Sequence, residues 1–135
     1  MNWTLEVVVV PVSDVDRAKA FYSEKLGFNV DHDTRISEES RIVQLTPPGS
    51  DCSIVIGKGV VEFMDPGSLK GLQLVVPDIR AARAQLAERG VKVSDVQVMG
   101  ENPIPGGDPL DNVGFVFFDD PDGNGWSVQQ MAGRS

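Results

Sequence analysis

One histidine, His32, one cysteine, Cys52, and an acidic pair, Glu38-Glu39, are the side chains best suited to acid–base, metal or nucleophilic chemistry. His32 lies in an Asp-His-Asp segment after the second expected strand, where a solvated turn residue outweighs a ligand or general base. Cys52 has no histidine-rich partner motif and reads as a buried or turn thiol rather than a nucleophile. Glu38 and Glu39 fall in a polar loop that their charge keeps solvated. The glycines of Asp120-Pro-Asp-Gly-Asn-Gly suggest a phosphate loop, but its lysine and following helix are missing, so a sharp turn explains them. The glutamines Gln44, Gln73 and Gln129 are different, because each interrupts a strand-like run. An amide buried without partners costs about 1–3 kcal/mol, so Gln73 among Leu72, Leu74, Val75 and Val76 either meets a ligand, water or protein groups, or shows its face to solvent from an edge strand.

The elements that must position these residues belong to a chain of 135 residues with a net charge of −8. That length fits a single domain over residues 1–135. Hydrophobic residues at 41% and charged residues at 24% are ordinary for a globular fold. The acidic field repels phosphate backbones and anionic lipid, so neither nucleic acid nor membrane is an expected partner. The longest apolar run, Val7 to Val12, is too short for a membrane span or a signal-peptide core. A lone cysteine agrees with a reducing, cytoplasmic setting.

An internal repeat organises the chain. Residues 5–25 and 69–89 align at a constant offset of 64, with Leu5/Leu69, Val12/Val76, Asp14/Asp78, Ala18/Ala82, Ala20/Ala84 and Glu24/Glu88 identical. Each copy reads as a β-branched strand, a turn closed by an aspartate suited to cap a helix, and an amphipathic helix ended by Gly27 or Gly90. Three further strands are predicted in each half, over Phe28–Asp31, Ser40–Leu45 and Cys52–Ile56, then Val91–Val98, Gly114–Phe118 and Trp126–Gln130. The order is βαβββ, twice, with module one at about 1–60, a linker at about 57–68 and module two at about 69–131.

This tandem βαβββ pattern, with VSDVDRAKAFYSEKLGF early and FFDDPDGNGWSVQQ late, resembles the vicinal oxygen chelate superfamily of glyoxalases, bleomycin-resistance proteins and extradiol dioxygenases. The resemblance covers nearly the whole chain. It implies an α+β fold in which the two modules form a curved, cup-like mixed sheet with helices on the outside and a ligand inside the curve. It also implies a divalent metal held by His, Gln or Glu on four strands. Residue by residue, those anchors fall on Val7, on Ser53 to Val55, on Gly71 and on Ser127. None of these side chains is an imidazole or carboxylate, so no metal or other cofactor is expected, with a weakly bound divalent metal as the alternative.

Alternation from position 7 then predicts a cup lining of Leu5, Val7, Val9, Leu69, Gly71, Gln73, Ser127 and Gln129, to which Phe115, Phe117 and Trp126 could add ring surface and Gln44 a group that orients a ligand. Trp3 and Phe63 could add ring surface, although core packing explains any single aromatic. Such a lining suits a small hydrophobic or aromatic molecule. The expected function is metal-free ligand binding in a homodimer. A metal-independent or metal-dependent lyase, isomerase or dioxygenase is the alternative, for which no catalytic residue is identified.

Overall fold

Each half of the chain opens on a short β-branched run followed by an aspartate, and its first strand and helix form there. In the first half Val7–Val9 is strand β1 and Val15–Ala20 is helix α1. The Asp14 carboxylate accepts from the Arg17 backbone N–H at 3.0 Å, which satisfies a donor the first helical turn leaves open. A π-helical stretch, Phe21–Lys25, continues the helix until Gly27 turns the chain with a φ of 77° that favours glycine. Strands β2 (Asn29–Ser37), β3 (Ser40–Thr46) and β4 (Ser53–Lys58) follow. The second half repeats the order with β5 (Leu72–Val76), α2 (Ile79–Glu88), β6 (Gln97–Val98), β7 (Gly114–Asp119) and β8 (Gly125–Gln130). Asp78 caps α2 through the Ala81 N–H at 3.1 Å.

The structure is a computed structural model that describes residues 1–59, 64–101 and 106–133. Phe63, one of the rings suggested for the lining, lies outside the described residues. The fold is α+β, with two open four-stranded mixed sheets ordered β1-β4-β3-β2 and β5-β8-β7-β6. In each sheet the first strand runs parallel to the last, and the remaining pairs are antiparallel. The chain forms two compact units, one of Met1–Leu69 with Asp120–Asn124, the other of Lys70–Asp119 with Gly125–Ser135. Val10, Ala18, Tyr22, Val43, Leu45 and Ile56 are wholly buried in the first, while Ile79, Leu86, Val116, Phe118, Trp126 and Val128 make the core of the second. No helix among the described residues is long and apolar enough to cross a membrane.

The Asp120–Asn124 turn connects β7 to β8 yet belongs to the first unit, and its hydrogen bonds explain why. Asp120 Oδ1 accepts from the backbone N–H groups of Asp122, Gly123 and Asn124 at 2.9–3.0 Å. Its Oδ2 accepts from the Tyr22 hydroxyl at 2.6 Å and from Asn124 Nδ2 at 2.7 Å. Asn124 Nδ2 also donates to the Pro11 carbonyl, and Asp122 accepts from Ser13 and Arg17. The turn's aspartates and asparagine are thus a buried polar anchor as well as a reversal.

Two strands depart from the sequence expectation. Strand β2 runs on to Ser37 instead of stopping at Asp31, so His32 lies within the strand opposite Gln44, not in a turn after it. All nine residues of β2 are exposed, so it writes no apolar alternation into the sequence. Strand β6 shrinks from the expected Val91–Val98 to two residues. The reason is Ser94, whose backbone N–H donates to the Phe117 carbonyl while its own hydroxyl accepts from the Phe117 N–H, replacing a regular ladder by a side-chain contact.

Candidate functional site

The positions where the resemblance implies metal ligands are occupied by groups committed elsewhere or by no side chain at all. Val7 pairs with Ser53 across the parallel β1–β4 ladder. Ser53 is buried, and its Oγ lies 2.6 Å from Thr46 Oγ1. Because the Thr46 hydroxyl donates to Asp31, Ser53 is left to donate to Thr46. Gly71 has a φ of 91°, in the left-handed region that disfavours any side chain, although a Cβ there would meet nothing within 4 Å. The glycine is therefore required by its backbone as well as leaving space. Ser127 faces Gln73 across β5–β8 and donates to Gln73 Oε1 at 3.4 Å. Among the described residues no group of three or more His, Cys, Asp or Glu is placed to hold a metal. This donor set does not fit a divalent transition metal.

Register divides the second sheet into two faces. Val116, Phe118, Trp126, Val128 and Gln130 are buried on one. There Phe118 and Trp126 stack with ring centroids 6.1 Å apart, and Gln130 Oε1 accepts the first amide of α2, from Ile79, at 2.9 Å. The other face carries Phe115, Phe117, Gln73, Ser127 and Gln129, aligned by the pairs Phe115 with Gln129, Phe117 with Ser127 and Gln73 with Ser127. Phe115 and Phe117 stand side by side, nearly parallel, with centroids 6.1 Å apart, and both are half-buried. Gln73 is exposed, so it takes the solvent-facing alternative, and its Nε2 donates to Gln129 Oε1 at 2.6 Å. Gln129 Nε2 donates in turn to the Asn112 carbonyl at 2.7 Å.

Four of the expected lining residues meet at one cavity of about 260 Å³ in the second unit, namely Gly71, Phe117, Trp126 and Ser127, together with Phe118, Asp119 and Gly125. Trp126 belongs by register to the buried face, opposite Ser127 and Gln129, and packs in the core of the second unit as well as edging the cavity. The bare glycines 71 and 125 line the cavity beside it. Phe118, Asp119 and Gly125 are lining residues outside the sequence expectation, and Asp119 is the charged one. Continuing the alternation of Phe115 and Phe117 by one more step would have found Asp119.

Val7, Val9 and Gln44 stand in the first sheet, where Val9 and Gln44 both pair with Val55 on β4. A charge cluster also lies in this unit, beside a polar cavity of about 300 Å³ lined by Asp14, Asp16, Arg35, Arg41 and Lys58 among others. Arg41 is buried and forks onto Asp33 at 2.8 and 2.9 Å, with Asp16 at 2.6 Å. Lys19 adds a second cation on Asp33 at 2.7 Å. Hydrogen bonds from Arg41 and Lys19 hold the Asp33 carboxyl well below the usual carboxylate range, and Asp33 and Asp16 raise the Arg41 guanidinium further still. These charges neutralise one another, which suits a structural ion-pair cluster better than an apolar receptacle.

Comparison with known proteins agrees with this architecture. The chain matches the Glyoxalase/Bleomycin resistance protein/Dioxygenase superfamily model over residues 4–128. Two solved structures from Streptomyces sp. CB03234 are similar. TnmS3, an antibiotic binding protein, is 35% identical with a TM-score of 0.74, covering 97% of this chain and 98% of its own. A glyoxalase/bleomycin resistance protein is 37% identical with a TM-score of 0.70, covering 94% and 100%. The uncharacterized protein YwkD of Bacillus subtilis (strain 168) is 31% identical over 127 residues, 85% of this chain and 87% of that one. With its tandem βαβββ sheets and a family match spanning nearly its whole length, this chain belongs to the Glyoxalase/Bleomycin resistance protein/Dioxygenase superfamily.

Proposed function

We propose that this protein binds a small apolar or aromatic molecule without a metal, holding it against the open face of its second sheet. The observation that carries the reading is the pairing of two half-buried, parallel phenylalanines, Phe115 and Phe117, with a cavity whose metal-ligand positions are Gly71 and Ser127. Aromatic surface left open on a sheet and edged by a few polar groups is the composition of a small-molecule site. The similarity to TnmS3, an antibiotic binding protein, supports a binding role over catalysis. The test is a thermal-shift screen of aromatic natural products. A ligand that binds only the folded chain raises its melting temperature by mass action. A screen in which no aromatic compound moves the melt would reject the reading.

Two further features complete it. The protein is a cytoplasmic homodimer, in which a second copy covers the exposed nine-residue edge strand β2 and the outlying Trp3 and Leu5, which are 89% and 69% exposed. Light scattering at several concentrations tests this, and a mass near 14.6 kDa throughout would refute it. Lyase, isomerase or dioxygenase chemistry, metal-independent or on a weakly bound divalent metal, is the competing reading; turnover would favour it, and its dependence on added metal would tell the two forms apart.

A further inference from the structure

The polar groups beside the Gly71 cavity are arranged with a fixed direction. A backbone carbonyl accepts and cannot donate, so the 2.7 Å contact between Gln129 and the Asn112 carbonyl sets Gln129 Nε2 at that end. Its Oε1 then faces Gln73 and must be met by a donor, which is Gln73 Nε2 at 2.6 Å. Gln73 Oε1 is thereby turned toward Ser127, whose Oγ donates to it at 3.4 Å, the longest link of the series. Flipping either amide would set two oxygens or two N–H groups against each other. One main-chain carbonyl therefore orients two side-chain amides and turns an acceptor toward the Ser127 hydroxyl.

The consequence falls on the cavity. With its proton directed to Gln73, Ser127 shows the roughly 260 Å³ space its lone pairs. Asp119, the second polar side chain of the lining, is a carboxylate and accepts only. The remaining walls are Phe117, Phe118, Trp126 and the bare Gly71 and Gly125. The volume lies just under the roughly 300–1,000 Å³ of sites that enclose a drug-sized ligand, so it takes a ring system rather than a whole large molecule.

We infer that this cavity selects an aromatic ring bearing a hydrogen-bond donor, a hydroxyl or an amine, over the same ring bearing only acceptors. The inference rests on the ligand-binding reading above and specifies the ligand class of that site. A hydroxyl can donate to Ser127 or Asp119, whereas an ether oxygen meets only the lone pairs of the serine and the carboxylate.

Calorimetric titration of the full chain with a naphthol and with its methyl ether tests this, since the two differ at one donor. The naphthol is expected to bind roughly five- to tenfold more tightly, the value of one net hydrogen bond. Gln129→Leu removes the link to Asn112 and frees Gln73 to turn and Ser127 to donate, so the ether should gain affinity and the ratio should fall. Ser127→Ala should lower naphthol affinity relative to that of the ether, again reducing the ratio. Both substituted residues lie on the open face, and circular dichroism checks that each variant is folded. Equal or tighter binding of the ether by the parent protein, or an undiminished ratio in Gln129→Leu, would overturn the inference while leaving the binding reading intact. Failure of both probes to bind would count against the reading itself, and the inference would fall with it.

Discussion

The Tyr22 hydroxyl donates to Asp120 from a wholly buried ring, beside Phe21 and Phe28, whose centroids lie 5.3 and 5.7 Å away. Tyr22→Phe keeps the packing and deletes one donor from a carboxylate that keeps four others among the described residues, so it should cost about 1–2 kcal/mol in urea unfolding. Asp120→Ala strands the turn's amides and the Tyr22 hydroxyl together, and should cost about 3 kcal/mol or more. A Tyr22→Phe cost equal to that of Asp120→Ala would contradict the sharing described. Asp33 supplies a pH signature. Its native carboxyl titrates below the unfolded value near 3.9 because Arg41 and Lys19 hold the charged form. The unfolded chain thus takes up a proton first as pH falls. Stability from the cluster is complete above about pH 5 and drains away as the pH drops through about 4 and below. Asp33→Asn should flatten that acid slope, and equal slopes in the two proteins would refute the assignment. At this scale the sequence was read best where a residue has one obvious role, as for the capping aspartates. It was read worst for Gln130 and Asp120, which have partners 19 to 98 residues away, and for Asp119, which is placed by its pairing across the sheet with Gly125.

Helix α2 spans ten residues and begins with two donors satisfied from different sources, Ala81 N–H by Asp78 and Ile79 N–H by the buried Gln130 side chain. The first follows from sequence position alone, the second from the register that brings β8 under the helix. Asp78→Ala should cost about 1 kcal/mol, the ordinary value of an N-cap, seen as a lower urea midpoint with an unchanged slope. Gln130→Ala should cost more, because it opens a gap in the core and releases both Ile79 N–H and Asp111. The strands obey the same distinction. β3 alternates buried and half-buried along its length and β8 does likewise, so both were legible from their side chains. β2 has no buried face to announce it, and β6 was overdrawn because a serine hydroxyl takes over its pairing with β7.

For the whole molecule, the tandem repeat carried most of the information, since an offset of 64 places Asp14 on Asp78 and Val7 on Gly71. It made both sheets legible before any strand was certain. The ligand face was legible only in part, because alternation fixes which residues share a face and cannot fix which of them meet at one cavity. The account's chemical claim is that this face works without a metal. Elemental analysis of protein purified without chelator should find no stoichiometric zinc, nickel, iron or manganese, and metal that survives dialysis would oppose that claim. The most direct measurement joins metal and ligand in one titration. An aromatic ligand found by thermal shift is titrated by calorimetry into the protein with and without excess chelator. The account predicts the same affinity in both. Binding that disappears with chelator and returns with a divalent metal would contradict it.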